Sequence, residues 1–229
     1  IRAEYDSDLL VTRLNVRPWL NSLQLSSPSV RGGNPAQGVV TLFAPAPTGG
    51  VVVNLTTDTP SLITFPSPTI TVPAGQQSVT FDLNTKGVPS TTVASVSVNV
   101  EGVGQTVPLT LLPATILDIS FSPTVINGGE SATGTVRLDG EAVAGTRVEL
   151  SQSGLHCSLP AHIDFLAGET QRTFTVTAPP LTVGDQTVTV VGTLEGNSAV
   201  GTVVVEANQI ASMTLGSTNV LGGTLIDCS

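Results

Sequence analysis

The sequence predicts an all-β protein built from serial two-sheet sandwiches, and three observations predict it. Runs rich in Val and Thr recur along all 229 residues and are separated by Gly, Pro and Asn. No window has the 3.6-residue apolar spacing and the caps that a helix needs. Landmark residues also return at a long, regular interval: Gly129 follows Gly33 by 96 residues, and Gly223 follows Gly129 by 94.

The repeat has a recognisable signal near its start, a pair of glycines that follows an apolar strand position and precedes a β-branched strand. The three pairs are Gly32 and Gly33, Gly128 and Gly129, and Gly222 and Gly223. We interpret all six as structural turn residues. Later landmarks keep the same register, including Glu101–Gly102 with Glu195–Gly196, so the period is typical of one domain per repeat.

These landmarks divide the chain into four pieces. Residues 1–18 correspond to the last strands of a preceding repeat, 19–113 and 114–208 to two complete repeats, and 209–229 to the first strands of a following repeat. A piece of about 20 residues cannot bury a core by itself. The end pieces are therefore expected to be completed either by further repeats of a longer chain or by strands of another chain.

About seven strands are predicted within the first complete repeat. They are Leu23–Leu25, Val39–Phe43, Val51–Leu55, Ile70–Val72, Ser78–Leu83, Val93–Val100 and Val107–Leu111. Seven short strands with this turn chemistry in about 95 residues predict an immunoglobulin-like sandwich. The core then rests on packing from both inner faces, with Phe81 and Phe174, and Leu55 and Leu150, as matched core positions.

Three motifs resemble bacterial immunoglobulin-like tandem repeats of secreted and surface-anchored proteins. They are the Val-x-Gly-Gly signal before a Gly-Thr-Val-x-Leu strand, residues 45–53 and residues 71–81. The resemblance covers nearly the whole chain, and the second repeat departs from it at 140–145 and 154–157. It implies tandem sandwiches arranged end to end in an extracellular spacer, stalk, fibre or adhesin shaft. It implies no catalytic residue and no cofactor.

Composition argues against several classes of function. The chain has 17 acidic and 8 basic residues, and its net charge of −9 argues against a nucleic-acid partner. It contains no apolar run approaching 18 residues, so no membrane insertion is expected in this segment. Two His, two Cys and one Tyr offer little chemistry for catalysis, so we predict that the chain is not an enzyme.

The junctions between repeats are short and contain proline. Pro18 and Trp19 mark the first junction and Pro113 the second. Proline fixes its own φ angle and keeps the preceding residue extended, which favours a semi-rigid connection. Trp19 is expected to pack against the neighbouring sandwich rather than to serve as a ligand platform.

Four residues have side chains that could bind a metal or form a disulfide, namely His156, Cys157, His162 and Cys228. His156 and Cys157 are adjacent in a predicted strand and so point to opposite faces, which argues against a metal site that would also include His162. Cys157 is expected to be a buried thiol. Cys228 is a candidate for an intermolecular disulfide, because a bond to Cys157 would span about one sandwich length, far beyond the roughly 7 Å limit between Cα atoms.

Asn54 begins an Asn-Leu-Thr sequon, and alternation along its strand places Asn54 outward, so it is a candidate for glycosylation.

We expect a structural protein, outside the cell or on its surface, that forms a shaft, stalk or filament. Its expected partners are neighbouring immunoglobulin-like repeats or copies of itself, and a surface receptor or glycan is a further candidate. Two alternatives stay open at the sequence level. The chain could be an adhesin or ligand-binding module that uses the divergent loop at 152–162, or it could be a set of accessory repeats of a large secreted enzyme.

Overall fold

The protein is all-β throughout the part of the chain that the computed structural model describes, which is residues 2–5, 8–11 and 19–209. This confirms the predicted fold class. The chain divides into two compact units. Unit 1 contains the described residues up to 114 together with the loops 139–144 and 166–169, and unit 2 contains residues 115–138, 145–165 and 170–209.

The chain begins with an antiparallel hairpin. Its strands are β1 (Arg2–Tyr5) and β2 (Asp8–Val11), with Arg2 opposite Val11 and Tyr5 opposite Asp8. A hairpin is what the last two strands of a repeat would form. The assignment of these residues to a preceding repeat stays a prediction.

Nine further strands build unit 1. They are β3 (Leu20–Leu25), β4 (Ser29–Arg31), β5 (Ala36–Leu42), β6 (Val51–Thr57), β7 (Ile63–Thr64), β8 (Thr69–Val72), β9 (Ser78–Thr85), β10 (Thr92–Val100) and β11 (Val103–Leu112). One sheet has the order β3-β5-β9-β7 and the other the order β4-β11-β10-β6-β8. The first stretch of chain therefore contributes β3 to one sheet and β4 to the other, an arrangement that immunoglobulin-like sandwiches use.

Alternating side chains from both sheets fill the core of unit 1. Val40 and Leu83 of the first sheet, and Val53, Val96 and Leu109 of the second, are fully buried. Residues between them along each strand face outward and are mostly Thr, Ser or Asn. This two-residue period is the one on which the sequence prediction rests.

Unit 2 repeats the same plan with eight strands. They are β12 (Ile116–Ser122), β13 (Val125–Asn127), β14 (Ser131–Leu138), β15 (Arg147–Gly154), β16 (His162–Asp164), β17 (Gln171–Thr177), β18 (Gln186–Leu194) and β19 (Asn197–Glu206). The sheets have the orders β12-β14-β17 and β13-β19-β18-β15-β16. The counterpart of β7 is reduced to a single bridge between Ser158 and Thr177.

The strand count exceeds the seven predicted because two short strands, β4 and β7, have almost no apolar alternation of their own. Ser29–Arg31 is half-buried at every position, and Ile63–Thr64 contains only two residues. Both are strands because of the backbone partners that the fold supplies. A period search along the sequence cannot detect such partners.

One predicted core position is wrong. Phe81, Phe174 and Leu55 are buried, but Leu150 is only half-buried. Leu55 lies opposite Val98 on the neighbouring strand, whereas Leu150 lies opposite Gly192. Gly192 has no side chain to pack directly against Leu150, and the buried row of β15 ends at Val148.

Candidate functional site

The glycine pairs lie directly after β4 and β13, and the two glycines of a pair have different roles. A Cβ atom on Gly32 would lie 2.5 Å from the Lys86 carbonyl oxygen, and one on Gly128 would lie 2.3 Å from the Leu181 backbone nitrogen. The second glycine has a left-handed backbone, with φ of 95° at Gly33 and 90° at Gly129. Gly222 and Gly223 lie outside the described residues.

These turns complete a parallel strand pair that links the start of unit 1 to its end. β4 pairs with β11, with Val30 opposite Leu111. The Thr110 amide donates to the Pro28 carbonyl at 2.9 Å, and the Gly32 amide donates to the Leu112 carbonyl at 3.0 Å.

Unit 2 contains the same parallel pair between β13 and β19, with Ile126 opposite Val205. The Val204 amide donates to the Thr124 carbonyl at 2.9 Å, and the Gly128 amide donates to the Glu206 carbonyl at 3.0 Å. We call these two strand pairs the terminal clamps.

Arg31 reinforces the clamp of unit 1. Its Nη1 donates to the Pro113 carbonyl at 2.7 Å, and its Nε lies 2.9 Å from Asp139 Oδ2. Pro113, a predicted junction residue, is thus held through its backbone oxygen. Trp19 is half-buried and packs against the core of unit 1. Pro18 and any contact of Trp19 with a preceding repeat lie outside the described residues.

Gln105 bridges the two sheets of unit 1. Its Oε1 accepts from the Leu23 amide and its Nε2 donates to the Asn21 carbonyl, both at 2.8 Å. One amide side chain on β11 therefore satisfies two backbone groups of β3. Nothing in the sequence pattern distinguishes this Gln from other polar residues on the outer faces.

His156 and Cys157 lie in the loop after β15, whereas His162 begins β16. The strand predicted at His156 and Cys157 is wrong, because β15 ends at Gly154 and both residues lie in the loop that follows it. In this loop His156 is exposed and Cys157 is 2% exposed. Burial raises the pKa of the Cys157 thiol, which favours the neutral form. No group of three His, Cys, Asp or Glu residues suited to a metal ion occurs in the described ranges.

Gln152 shapes the loop around Cys157. Its Nε2 donates to the Cys157 carbonyl at 2.7 Å, and its Oε1 accepts from the Cys157 amide at 3.0 Å. An open groove of about 530 Å³ lies beside this loop. Its lining residues are Gln152, His156, Cys157, Ser158, Leu159, Thr177, Ala178 and Pro179.

His162 lies beside an ion pair on the surface, away from Cys157. Arg147 and Asp164 face each other across β15 and β16, with Arg147 Nε 2.6 Å from Asp164 Oδ1. The hydrogen bond from Arg147 holds the pKa of Asp164 below its ordinary value, and His162 Nε2 lies 3.7 Å from Asp164 Oδ2. The ion pair is exposed, and such pairs contribute little stability.

The two modification candidates differ in what the structure describes. Asn54 is exposed on β6, where its side chain is accessible. Its glycosylation stays a prediction. Cys228 lies outside the described residues, and Cys157 is a free cysteine.

The described part of the chain contains no helix of the length and hydrophobicity needed to cross a membrane.

No family model matches the chain, and no curated protein matches it in sequence. Solved structures give distant similarities. The Escherichia coli adhesin FdeC is 15% identical, with 93% of this chain and 74% of that chain covered and a TM-score of 0.40. The D0–D1 domain of intimin is 12% identical, with coverage of 81% and 98% and a TM-score of 0.34. Domains 4 and 5 of the S-layer protein SbsC are 18% identical, with coverage of 82% and 99% and a TM-score of 0.29. At these identities and TM-scores, none of the three assigns a function to this chain.

Proposed function

We propose that this chain is a non-enzymatic structural part of an extracellular or cell-surface protein. In this proposal it is a shaft of serial immunoglobulin-like sandwiches that carries tension along the polypeptide. The observation that supports the proposal is the terminal clamp, which occurs in both units between the first and last stretches of chain.

The clamp resists pulling because its strands are parallel. β3 and β4 together run alongside β11 in the same direction, so the chain enters unit 1 at one end of this ladder and leaves at the other. A force on the two chain ends would slide β4 past β11 and load the ladder hydrogen bonds together. In an antiparallel hairpin pulled open from one end, the bonds would break one after another at lower force.

Single-molecule pulling of the full chain tests this proposal. Val30→Pro should lower the unfolding force of unit 1, because Val30 alternates with Pro28 and Gly32 and its N–H therefore points to β11. Ile126→Pro should do the same for unit 2 only. Each variant is the control for the other, since the untouched unit should keep its unfolding force. Unchanged forces in both variants would contradict a load-bearing clamp.

The groove beside the Gln152 loop favours a second candidate function, an adhesin or ligand-binding module that contacts a receptor or glycan. Gln152 holds the loop in place through both backbone groups of Cys157. A glycan array probed with the full chain tests this function. If the chain binds a glycan, Gln152→Ala should abolish the binding and the exposed control Gln76→Ala should leave it intact. This result would support a binding module over a purely structural shaft.

A further inference from the structure

The outer edge of β17 is unpaired from Gln171 to Thr175 in the described part of unit 2. β14 lies on one side of this strand. On the other side, Thr177 exchanges two backbone hydrogen bonds of 2.9 Å with Ser158. Backbone groups of alternate residues point to the same side of a strand, so those of Thr175, Thr173 and Gln171 also point to this open side.

This edge has no outward-facing charge, proline or bulge, and its one protective feature is the inward-pointing Arg172. Gln171, Thr173 and Thr175 are exposed and uncharged, and no proline interrupts them. The charged residue of the stretch, Arg172, is half-buried and its guanidinium donates to the Asp164 backbone oxygen. An uncharged edge with free N–H and C=O groups is a template for another strand.

We infer that two copies of this chain pair through this edge, antiparallel and about a two-fold axis at Thr173. In this register Thr173 faces Thr173 of the second copy, and Gln171 faces Thr175. The three residues match the same three residues on the other copy, as a two-fold interface requires. The pairing is limited to five residues, because β17 begins at Gln171 and the Ser158 bridge occupies the edge at Thr177.

Charge favours a second copy at this place over other faces of the chain. Each copy has a net charge of −9, so two copies repel over most of their surfaces. The paired stretch carries no carboxylate and contains the cation Arg172. Arg172 would face Phe174 of the second copy, so no like charges are directly opposed. This inference goes beyond the proposed function, since a shaft bears tension with or without a lateral partner.

Unit 1 supplies the matched control edge. Ser78, Thr80 and Asp82 occupy the corresponding positions on β9. Asp82 is exposed and accepts a hydrogen bond of 2.8 Å from Gln37 Nε2, so this edge carries a carboxylate. A symmetric pair of such edges would add two negative charges to the contact, which disfavours pairing there.

The test is the mass of the full chain in sedimentation equilibrium, with reductant present so that Cys228 cannot link copies. The wild-type mass should rise toward twice the monomer mass as concentration rises. Thr173→Asp and Thr173→Lys should each stay monomeric, because like charges would then face each other directly. An equimolar mixture of these two variants should dimerise again.

The controls are Thr80→Asp and Thr80→Lys, which should dimerise like the wild type. Circular dichroism verifies that every variant is folded, and the exposure of Thr173 and Thr80 makes both changes mild. Three results would overturn the inference: a wild type that stays monomeric at every concentration, a dimer that persists in both Thr173 variants, and a mixture that fails to restore the dimer.

Discussion

Gly33 and Gly129 show at the residue scale what a single sequence position can and cannot predict. Both were identified from the repeated glycine pair, and both have a left-handed backbone. Their surroundings differ, because a Cβ atom on Gly33 would lie 2.2 Å from Glu141 Cγ and one on Gly129 would meet nothing within 4 Å. The glycine pattern predicts both turns, but only the fold shows that Glu141 packs against the turn at Gly33.

Asp58 gives a pH-dependent prediction at the same scale. The Ser95 amide donates to Asp58 Oδ1 at 2.8 Å, and this bond holds the pKa of the carboxyl below its ordinary 3.8. Its stabilising contribution is therefore present above pH 3.8 and is lost as the pH falls through the lower folded-state pKa. We expect the free energy of unfolding, measured with denaturant, to fall less steeply below pH 3.8 in Asp58→Asn than in the wild type.

Glu101→Gln is the matched control for this titration. Glu101 is exposed in the turn between β10 and β11, and its carboxylate makes no hydrogen bond among the described residues. This variant should keep the acid dependence of the wild type. An Asp58→Asn protein that loses stability in acid as steeply as the wild type would contradict the assigned role of the Ser95 bond.

At the scale of elements, the two units join their first and last strands across the sheets by different means. Unit 1 uses the Gln105 side chain, which bonds Asn21 and Leu23 of β3. In unit 2, β12 approaches β19 closely, and a Cβ atom on Gly201 would lie 2.7 Å from the Ile119 carbonyl oxygen. Contact between the first and last strands thus depends on a side-chain amide in unit 1 and on a residue without a side chain in unit 2.

Gln105→Ala should destabilise unit 1 by about 1–3 kcal/mol, because two hydrogen bonds are lost and the Leu23 amide is left without its acceptor. Denaturant unfolding of the full chain measures this change. Gln76→Ala provides the control, since Gln76 is an exposed loop residue whose side chain makes no described hydrogen bond. Equal stability of the two variants would show that the bridge contributes nothing.

At the scale of the whole molecule, the fold class was predictable because it depends on properties that a sequence displays directly. The two-residue alternation and the Gly and Pro punctuation are local, and the long period needs only comparison of the chain with itself. Leu150 is predicted wrongly because its burial depends on cross-strand neighbours, and the residue directly opposite it is Gly192, 42 positions away. The terminal clamps and the Gln105 bridge were missed for the same reason, since each joins residues about 80 positions apart.

Net charge gives a prediction at this scale. If two copies with a charge of −9 associate through backbone hydrogen bonds, added salt should strengthen the association by screening their repulsion over about 8 Å at physiological ionic strength. Sedimentation at low and moderate salt measures the effect. Salt should strengthen the association less in the mixture of Thr173→Asp and Thr173→Lys, because it also screens the attraction between the two introduced charges. A wild-type dimer that dissociates as salt is added would contradict pairing through an uncharged edge.

The direction of the last strand in each unit has an evolutionary consequence. Because β4 and β11 run the same way, as do β13 and β19, the chain enters each unit at one end of its terminal clamp and leaves at the other end. In the proposed shaft, a gene that duplicates or deletes one such unit would lengthen or shorten the product by a fixed step, without rerouting any strand. The length of the shaft could then change in evolution without any change in how a single unit folds.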